Sequence, residues 1–540
     1  MPLRRLDVLA DQPFAEIGDP TLVVDDPAYD FVVVAGDLPY SQWFGAGTAS
    51  RAHARVGVYG RADLVCRQLA TLRRPANDVA IHPSGTLVAV GTGAYDGGYS
   101  FEGELVLLDL ERARRTSPFR DGRQVRTVRW VDDQRLAVVL APWTDDDVAD
   151  WKDLVGDAFE VQAPWHELRD RELDLSGHQA EAVPFVYPEP ARADARAALE
   201  RLAAETGRTW TLRRAVWSVA GCPDGSVVAA CEGVAAERWD ATGGDDPRWR
   251  ITTTGTGCQL TALDATTVAT TVELRPSWAD GRPLRRESQH HVVDHATGVV
   301  VGEIVPESAS VAVGSTGPYS LLRPATRDAT STDCLVIDPA GRTVGRVPTT
   351  GYDPFNHWFD VAGAPVPVVL VGSDARKPHL DKWVARVVVA EGGPVLERLF
   401  PLDWQGTEQR HLFGGPGVYV DDELGTGVVH CGEIHAGSGS HSPFAVRRDY
   451  PDGAARWTLD LPGVATDAVH EEGVVVLTTS NGWLVRADAT TGALVEAVEL
   501  EVHGSPVVPL SVTPCGPGRL AVGLLDGRIL RLEVGTTTTS

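Results

Sequence analysis

Cys431, Glu433 and His435 alternate along a short apolar run, with His441 close behind. In a β-strand successive side chains point to opposite faces, so these three share one face. Thiolate, carboxylate and imidazole are the types that ligate a transition metal. One strand is a poor chelator, however, because same-face neighbours stand about 7 Å apart. Paired Cys at structural zinc spacing are absent, so no metal site is expected. A second candidate, 289–295, reads Gln-His-His-Val-Val-Asp-His. It puts His291 and His295 on one face and His290 and Asp294 on the other. The chain has no Gly-x-Ser-x-Gly elbow, no phosphate loop and no zinc-protease motif. The Gly- and Ser-rich stretch 437–441 has no assignable triad. No catalytic residue and no cofactor are therefore predicted. A site assembled in a central channel from many repeats leaves no linear motif, so a hydrolase or lyase with a metal or acid/base site there stays open as the alternative.

Other residues suit recognition. Several long segments carry aromatics: Tyr40, Trp43, Phe44, Tyr95, Tyr99, Phe101 and Trp278. Three later segments carry cations within an acidic chain: Arg275, Arg282, Arg285 and Arg286, then Arg323 and Arg327, then Arg376, Lys377 and Lys382. Asp280, Glu287, Asp328, Asp333, Asp374 and Asp381 offset much of that charge. A salt-bridged, solvated rim is the plain reading. Exposed Trp, Tyr and Arg are also the types enriched at interface hot spots. Trp43, Tyr95, Trp278, Arg285, Arg286, Arg376 and Lys377 are the predicted partner contacts.

The elements that present these residues are short apolar runs cut by tight turns. One turn recurs at Asp240–Gly243, Asp294–Gly298, Asp338–Gly341, Asp449–Gly453 and Asp488–Gly492. Asp can accept a bond from backbone two or three residues on, and Gly takes φ > 0 without steric cost. A second turn ends at Gly85, Gly225 and Gly518, each followed by a β-rich run. The unit is strand, turn, strand, loop, strand, Asp-Gly turn, strand, repeating every 40 to 50 residues or so, which is propeller spacing. Units are expected at 20–72, 77–118, 125–180, 212–254, 258–305, 308–348, 356–402, 409–460, 466–500 and 507–535. The last lacks a fourth strand, which residues 4–9 could supply. In a propeller the long loops, joining second to third strands, share one face, and loops on a rigid scaffold are where binding residues concentrate.

The segment 481–495, Asn-Gly-Trp-Leu-Val-Arg-Ala-Asp-Ala-Thr-Thr-Gly-Ala-Leu-Val, resembles the repeat of quinoprotein-like propellers. The segment 77–90, Asn-Asp-Val-Ala-Ile-His-Pro-Ser-Gly-Thr-Leu-Val-Ala-Val, resembles the first half of a WD-repeat blade. The regular Gly-His and Trp-Asp pair of WD repeats is absent, as is the adjacent Cys pair of quinone-cofactor dehydrogenases. The resemblance implies a bacterial propeller repeat protein. It further suggests a multi-component system of the kind in which propellers occur beside ATPases and von Willebrand-type domains.

Composition bounds these readings. The 540 residues are 43% hydrophobic and 23% charged, ample for a large core. A net charge of −25 argues against nucleic acid and anionic membranes as partners. Seven scattered Cys without a CxxC pair fit a reducing compartment. The start has no apolar run of signal-peptide length, and no stretch approaches a membrane helix. The expectation is an all-β, closed β-propeller of roughly 8–10 four-stranded blades, filling 1–540 and closed by the N-terminal strand. Two smaller rings are the alternative. The stretch 143–212 is expected as an insertion, with a helix near 190–206. The expected function is a cytoplasmic scaffold that binds a protein partner.

Overall fold

The structure, a computed structural model, describes residues 3–534 apart from 39–53, 96–99, 143–153, 187–190, 245, 275–277, 280–281, 284–286, 326–332, 350–358, 373–380, 403–409 and 437–439. For 278–279, 282–283, 410–411, 435–436 and 440–441 only the backbone is described. The chain is all-β, built mainly of antiparallel sheets, several of them four-stranded. Its described residues divide into two compact units, one holding 12–38 and 54–213, the other 3–11 and 214–534.

The smaller unit has three four-stranded sheets. The first runs Asp19–Val24, Phe31–Asp37, Ala54–Gly60, Cys66–Leu72; the second Ala76–Ile81, Leu87–Tyr95, Phe101–Asp109, Arg114–Thr116. The third is Val125–Trp130, Arg135–Leu140, Val155–Gln162, Glu181–Pro184. Two strands of that sheet thus lie within 143–212, which completes a repeat before it becomes an insertion. Middle strands such as Phe31–Asp37 and Ala54–Gly60 are buried almost throughout. Both their faces pack on neighbours, which is why they read as unbroken apolar runs. Val33, Val56, Val88 and Val106 share one core across the first two sheets.

The helix Arg192–Glu205 packs within this unit. Leu199 and Leu202 join Phe14, Ile17, Val32, Tyr59 and Trp210 in one cluster. Arg196 donates two bonds to Asp19, at 2.9 and 2.8 Å, and Arg192 reaches Asp37 at 2.7 Å. Gly207, at φ +73°, follows the last turn. The helix thereby covers the open edge of the first sheet.

The larger unit begins with a six-stranded sheet: Val216–Gly221, Val227–Trp239, Trp249–Ala262, Thr267–Leu274, Glu287–Asp294, Val300–Ile304. The sequence separates this region into 212–254 and 258–305. The strand Trp249–Ala262 crosses that boundary unbroken, pairing on Val227–Trp239 with its first half and on Thr267–Leu274 with its second. A four-stranded sheet, Ser310 to Val347, follows, then a three-stranded one of Val368–Val371, Trp383–Ala390 and Gly393–Pro401. Val361–Ala362, expected to open that repeat, pairs instead in parallel with Arg410–Asp422 of the next sheet. Ala465 to Glu499 forms the next four-stranded sheet. The last contains Pro509–Pro514, Arg519–Leu524, Ile529–Glu533 and the N-terminal Arg4–Leu9, which runs antiparallel to Ile529–Glu533. Outer strands such as Leu494–Glu499 alternate between exposed and half-buried, as strands with one solvated face do.

The Asp-Gly turns take the expected form. Glycines 243, 298, 341, 453 and 492 all have φ between +72° and +84°. Asp488 Oδ1 accepts the N–H and hydroxyl of Thr491, each at 2.7 Å. Steric room matters as much as φ. A Cβ on Gly492 would stand 2.6 Å from the Trp457 ring, whose Nε1 donates to Ala489 O at 3.0 Å. Trp249 repeats the arrangement over Gly298.

Candidate functional site

The first strand of a sheet has one edge without a ladder partner, so its backbone groups need other partners. In the larger unit, side chains on neighbouring first strands supply them. Ser218 Oγ accepts Leu260 N–H at 3.0 Å. Gln259 spans to Ala312, donating to its carbonyl at 2.6 Å and accepting its N–H at 2.9 Å. Asp360 accepts the N–H groups of Gly314 and Val361. Asp467 accepts Ala468 N–H at 2.8 Å and Val512 N–H at 2.7 Å. Gly221 N–H donates to Thr513 Oγ1 at 3.0 Å, and Ser511 Oγ donates to Val216 O at 3.3 Å.

These strands wall a cavity of about 340 Å³. Trp217, Leu260, Phe413 and Leu510 give it an apolar surface, and Asp360, Glu433 and Asp467 face it as acids. Both aspartates are in contact with the cavity yet enclosed by protein. Desolvation pushes Asp360 up to about 7, against the bonds from Gly314 and Val361, and the charge of Asp467 adds to the rise. Asp467 is also pushed up to about 7 by burial, opposed by its two N–H donors. Burial drives the thiols of Cys258 and Cys431 strongly upward, so both stay protonated and inert. A carboxyl held near 7 can give or take a proton at neutral pH.

Cys431 and Glu433, picked out by their alternation, do face this cavity. His435 and His441 sit opposite each other in the adjoining strands. Among the described residues no three His, Cys, Asp or Glu are placed to hold a metal. His290 is fully buried, its Nδ1 3.0 Å from Thr271 Oγ1 and its Nε2 3.2 Å from Ser288 Oγ. Burial lowers it to about 3, so it stays neutral. Asp294 serves its turn, accepting Thr297 N–H at 2.8 Å.

Of the predicted contacts, Trp43, Arg285, Arg286, Arg376 and Lys377 lie outside the described residues. Trp278 pairs with Pro283 in a two-residue hairpin, described in backbone alone. Tyr95 is half-buried, its ring 5.1 Å from Phe101 in a cluster with Ala141, Leu154 and Phe185. Of the seven, Tyr95 is the one whose side chain lies among the described residues. Two cations placed in loops by the sequence are buried: Arg323, which donates to Leu370 O at 2.8 Å, and Lys382. Arg323 lies within the strand Ser320–Pro324 and Lys382 directly precedes Trp383–Ala390, so both are drawn in with their sheets.

Sequence reasoning missed Asp360 and Asp467. A signal existed: an Asp inside an apolar first strand, as in Phe-Asp-Val-Ala at 359–362, Thr-Asp-Ala-Val at 466–469 and Asn-Asp-Val-Ala at 77–80.

No protein family model matches the chain, and no curated protein does. Among solved structures, BamB from Moraxella catarrhalis is similar at 14% identity and a TM-score of 0.37, over 59% of this chain and 97% of that one.

Proposed function

We propose that this chain is a cytoplasmic β-propeller scaffold that binds a protein partner through the connections between second and third strands. One observation carries the reading. Strand pairing assigns 38–53, 141–154 and 325–333 to that kind of connection in four-stranded sheets, and 275–286 to the matching place in the second half of the six-stranded sheet. The stretch 372–382 instead joins the first two strands of the three-stranded sheet. The connections at the other ends of the strands are mostly tight turns. The stretch 163–180 is an exception, and it packs Trp165, Leu168 and Leu175 into the core of its own unit. Long connections on a rigid frame suit recognition. Two further supports bear on fold and compartment. Cys515, Ala521 and Ile529 of the last sheet share a core with Val216, Val219 and Val227 of the first in the larger unit, as closure of that unit into a ring requires. All seven Cys are free thiols, in keeping with a reducing compartment.

The test is affinity capture of the full chain followed by paired substitution. Arg285→Glu with Arg286→Glu should weaken partner binding by at least about 1–2 kcal/mol. Changes at Thr491 or Ala340, on the turns, should leave it unaltered. The reverse pattern would place the binding face on the other side.

The carboxyls near 7 favour a second reading, acid–base chemistry in the cavity. Its check is a hydrolase and lyase substrate screen in which any activity must vanish on Asp360→Asn.

A further inference from the structure

The polar side chains that line the cavity of the larger unit are engaged in the fold. Gln259 gives both atoms of its amide to Ala312, at 2.6 and 2.9 Å. Thr466 Oγ1 lies 2.8 Å from Thr478 Oγ1 and 3.0 Å from Pro509 O. Thr513 Oγ1 accepts Gly221 N–H, and Asp467 accepts Ala468 and Val512 N–H. Asp360 accepts Gly314 and Val361 N–H, and its Oδ1 is buried out of a ligand's reach. Glu433 is buried and has a partner of its own. Among the described lining residues none is Arg, Lys or His. What remains open is apolar. Trp217 and Leu260 come from the six-stranded sheet, Phe413 from Arg410–Asp422 and Leu510 from Pro509–Pro514. Trp217, Phe413 and Leu510 keep 7%, 9% and 7% of their surface accessible, so this wall can be touched where the Asp360 oxygen cannot.

We propose that this cavity binds a small neutral aromatic compound, its ring against Trp217, Leu260, Phe413 and Leu510. Apolar surface left to water is unfavourable in proportion to its area, so a ligand that covers it is favoured. The Trp217 and Phe413 rings add the offset or edge contacts that a third ring can make. A volume of about 340 Å³ lies at the small end of the range for ligand sites, and a mainly apolar wall is their usual make-up. Charge is selected against in both signs. An anion would meet three acids and no cation. An ammonium would give up its water for carboxyls that backbone N–H groups already hold, and burying a charge without a partner is costly. Below about pH 7 burial also keeps Asp360 and Asp467 protonated, which makes the wall less polar still. The site requires neither the long connections nor any reaction.

The experiment is isothermal titration and thermal melting of the full chain at pH 6 with indole, tryptophol, tryptamine and indole-3-acetate. Indole and tryptophol should saturate one site and raise the melting temperature. Tryptamine and indole-3-acetate put a charge on a similar arm of the same ring. Each should bind at least about tenfold more weakly than tryptophol, because its charge finds no free partner. Ala362 is exposed and lines the cavity, so Ala362→Phe should occupy the space and weaken indole by a similar factor. The Arg285→Glu, Arg286→Glu chain should bind indole like the parent, which separates this site from the partner face. If Ala362→Phe fails to fold, the ligand series on the parent chain decides. Absence of saturable indole binding, a charged analogue that binds as tightly as tryptophol, or a folded Ala362→Phe chain that keeps full affinity overturns the proposal.

Discussion

Asp78 in the smaller unit and Asp467 in the larger occupy equivalent places and behave differently. Each follows a polar residue in a first strand, and each accepts the next residue's N–H. Each also accepts an N–H from the first strand of the following sheet: Val128 at 2.9 Å for Asp78, Val512 at 2.7 Å for Asp467. Burial raises both. For Asp78 the charge of Arg126 opposes the rise, whereas no cation opposes it at Asp467. The cavities repeat the contrast. That of the smaller unit, about 450 Å³, is lined by Arg126 and Arg192 as well as Asp37 and Asp194. The same latch is thus a plain structural bond in one unit and a titratable wall in the other. What differs first is burial, which is deeper at Asp467, and then the cation beside Asp78.

The comparison can be broken hardest at the helix, which supplies Arg192 to the smaller cavity. Leu199→Ala should destabilise the smaller unit by about 3 kcal/mol, the usual cost of truncating a fully buried Leu. Hydrogen exchange should show the loss in 12–213 while protection in the larger unit stays unchanged.

A sharper test titrates the two aspartates. Asp467 in the folded chain keeps a proton that the unfolded chain loses near its ordinary value of 3.8. Its contribution to stability is therefore full below about pH 4, declines as pH rises to about 7, and is flat above. Asp467→Asn loses one acceptor and should be less stable than the parent at pH 4, by about 1 kcal/mol. It should gain on the parent as the pH rises and exceed it at pH 8, as chemical denaturation will show. Asp78→Asn should show a shallower slope. If both variants track the parent in parallel, the contrast between the units is wrong.

Arg126→Met removes the cation beside Asp78, so the Asp78 carboxyl should titrate higher, moving toward Asp467. Carboxyl-carbon NMR reads this directly. His290 acts in the opposite direction to the aspartates. His290 is held neutral to about 3, so its contribution is full above about 6.5 and lost as pH falls toward 3. His290→Gln should flatten that acid limb alone.

Much of the fold was legible. The Asp-Gly turns form where Asp488, Thr491 and Gly492 said they would, because a turn is decided by residues a few positions apart. The helix, expected near 190–206, runs Arg192–Glu205. Strand merging was not legible. Trp249–Ala262 continues through a boundary that looked like a break, since pairing on two different partners holds it extended. The site was half legible. Alternation flagged Cys431 and Glu433, but no spacing links them to Asp360 or Asp467, which arrive from other sheets.

The sequence by itself determined the repeat, its turns and the apolar runs that become buried middle strands, all through contacts within a few residues or one hairpin. Tertiary structure decided which strands meet across sheets. Only there does Gly221 find Thr513, Asp467 find Val512, and Asp360 lose every donor for Oδ1. The charge state of a carboxyl depends on what surrounds it in space, and the chain order of its neighbours carries no record of that.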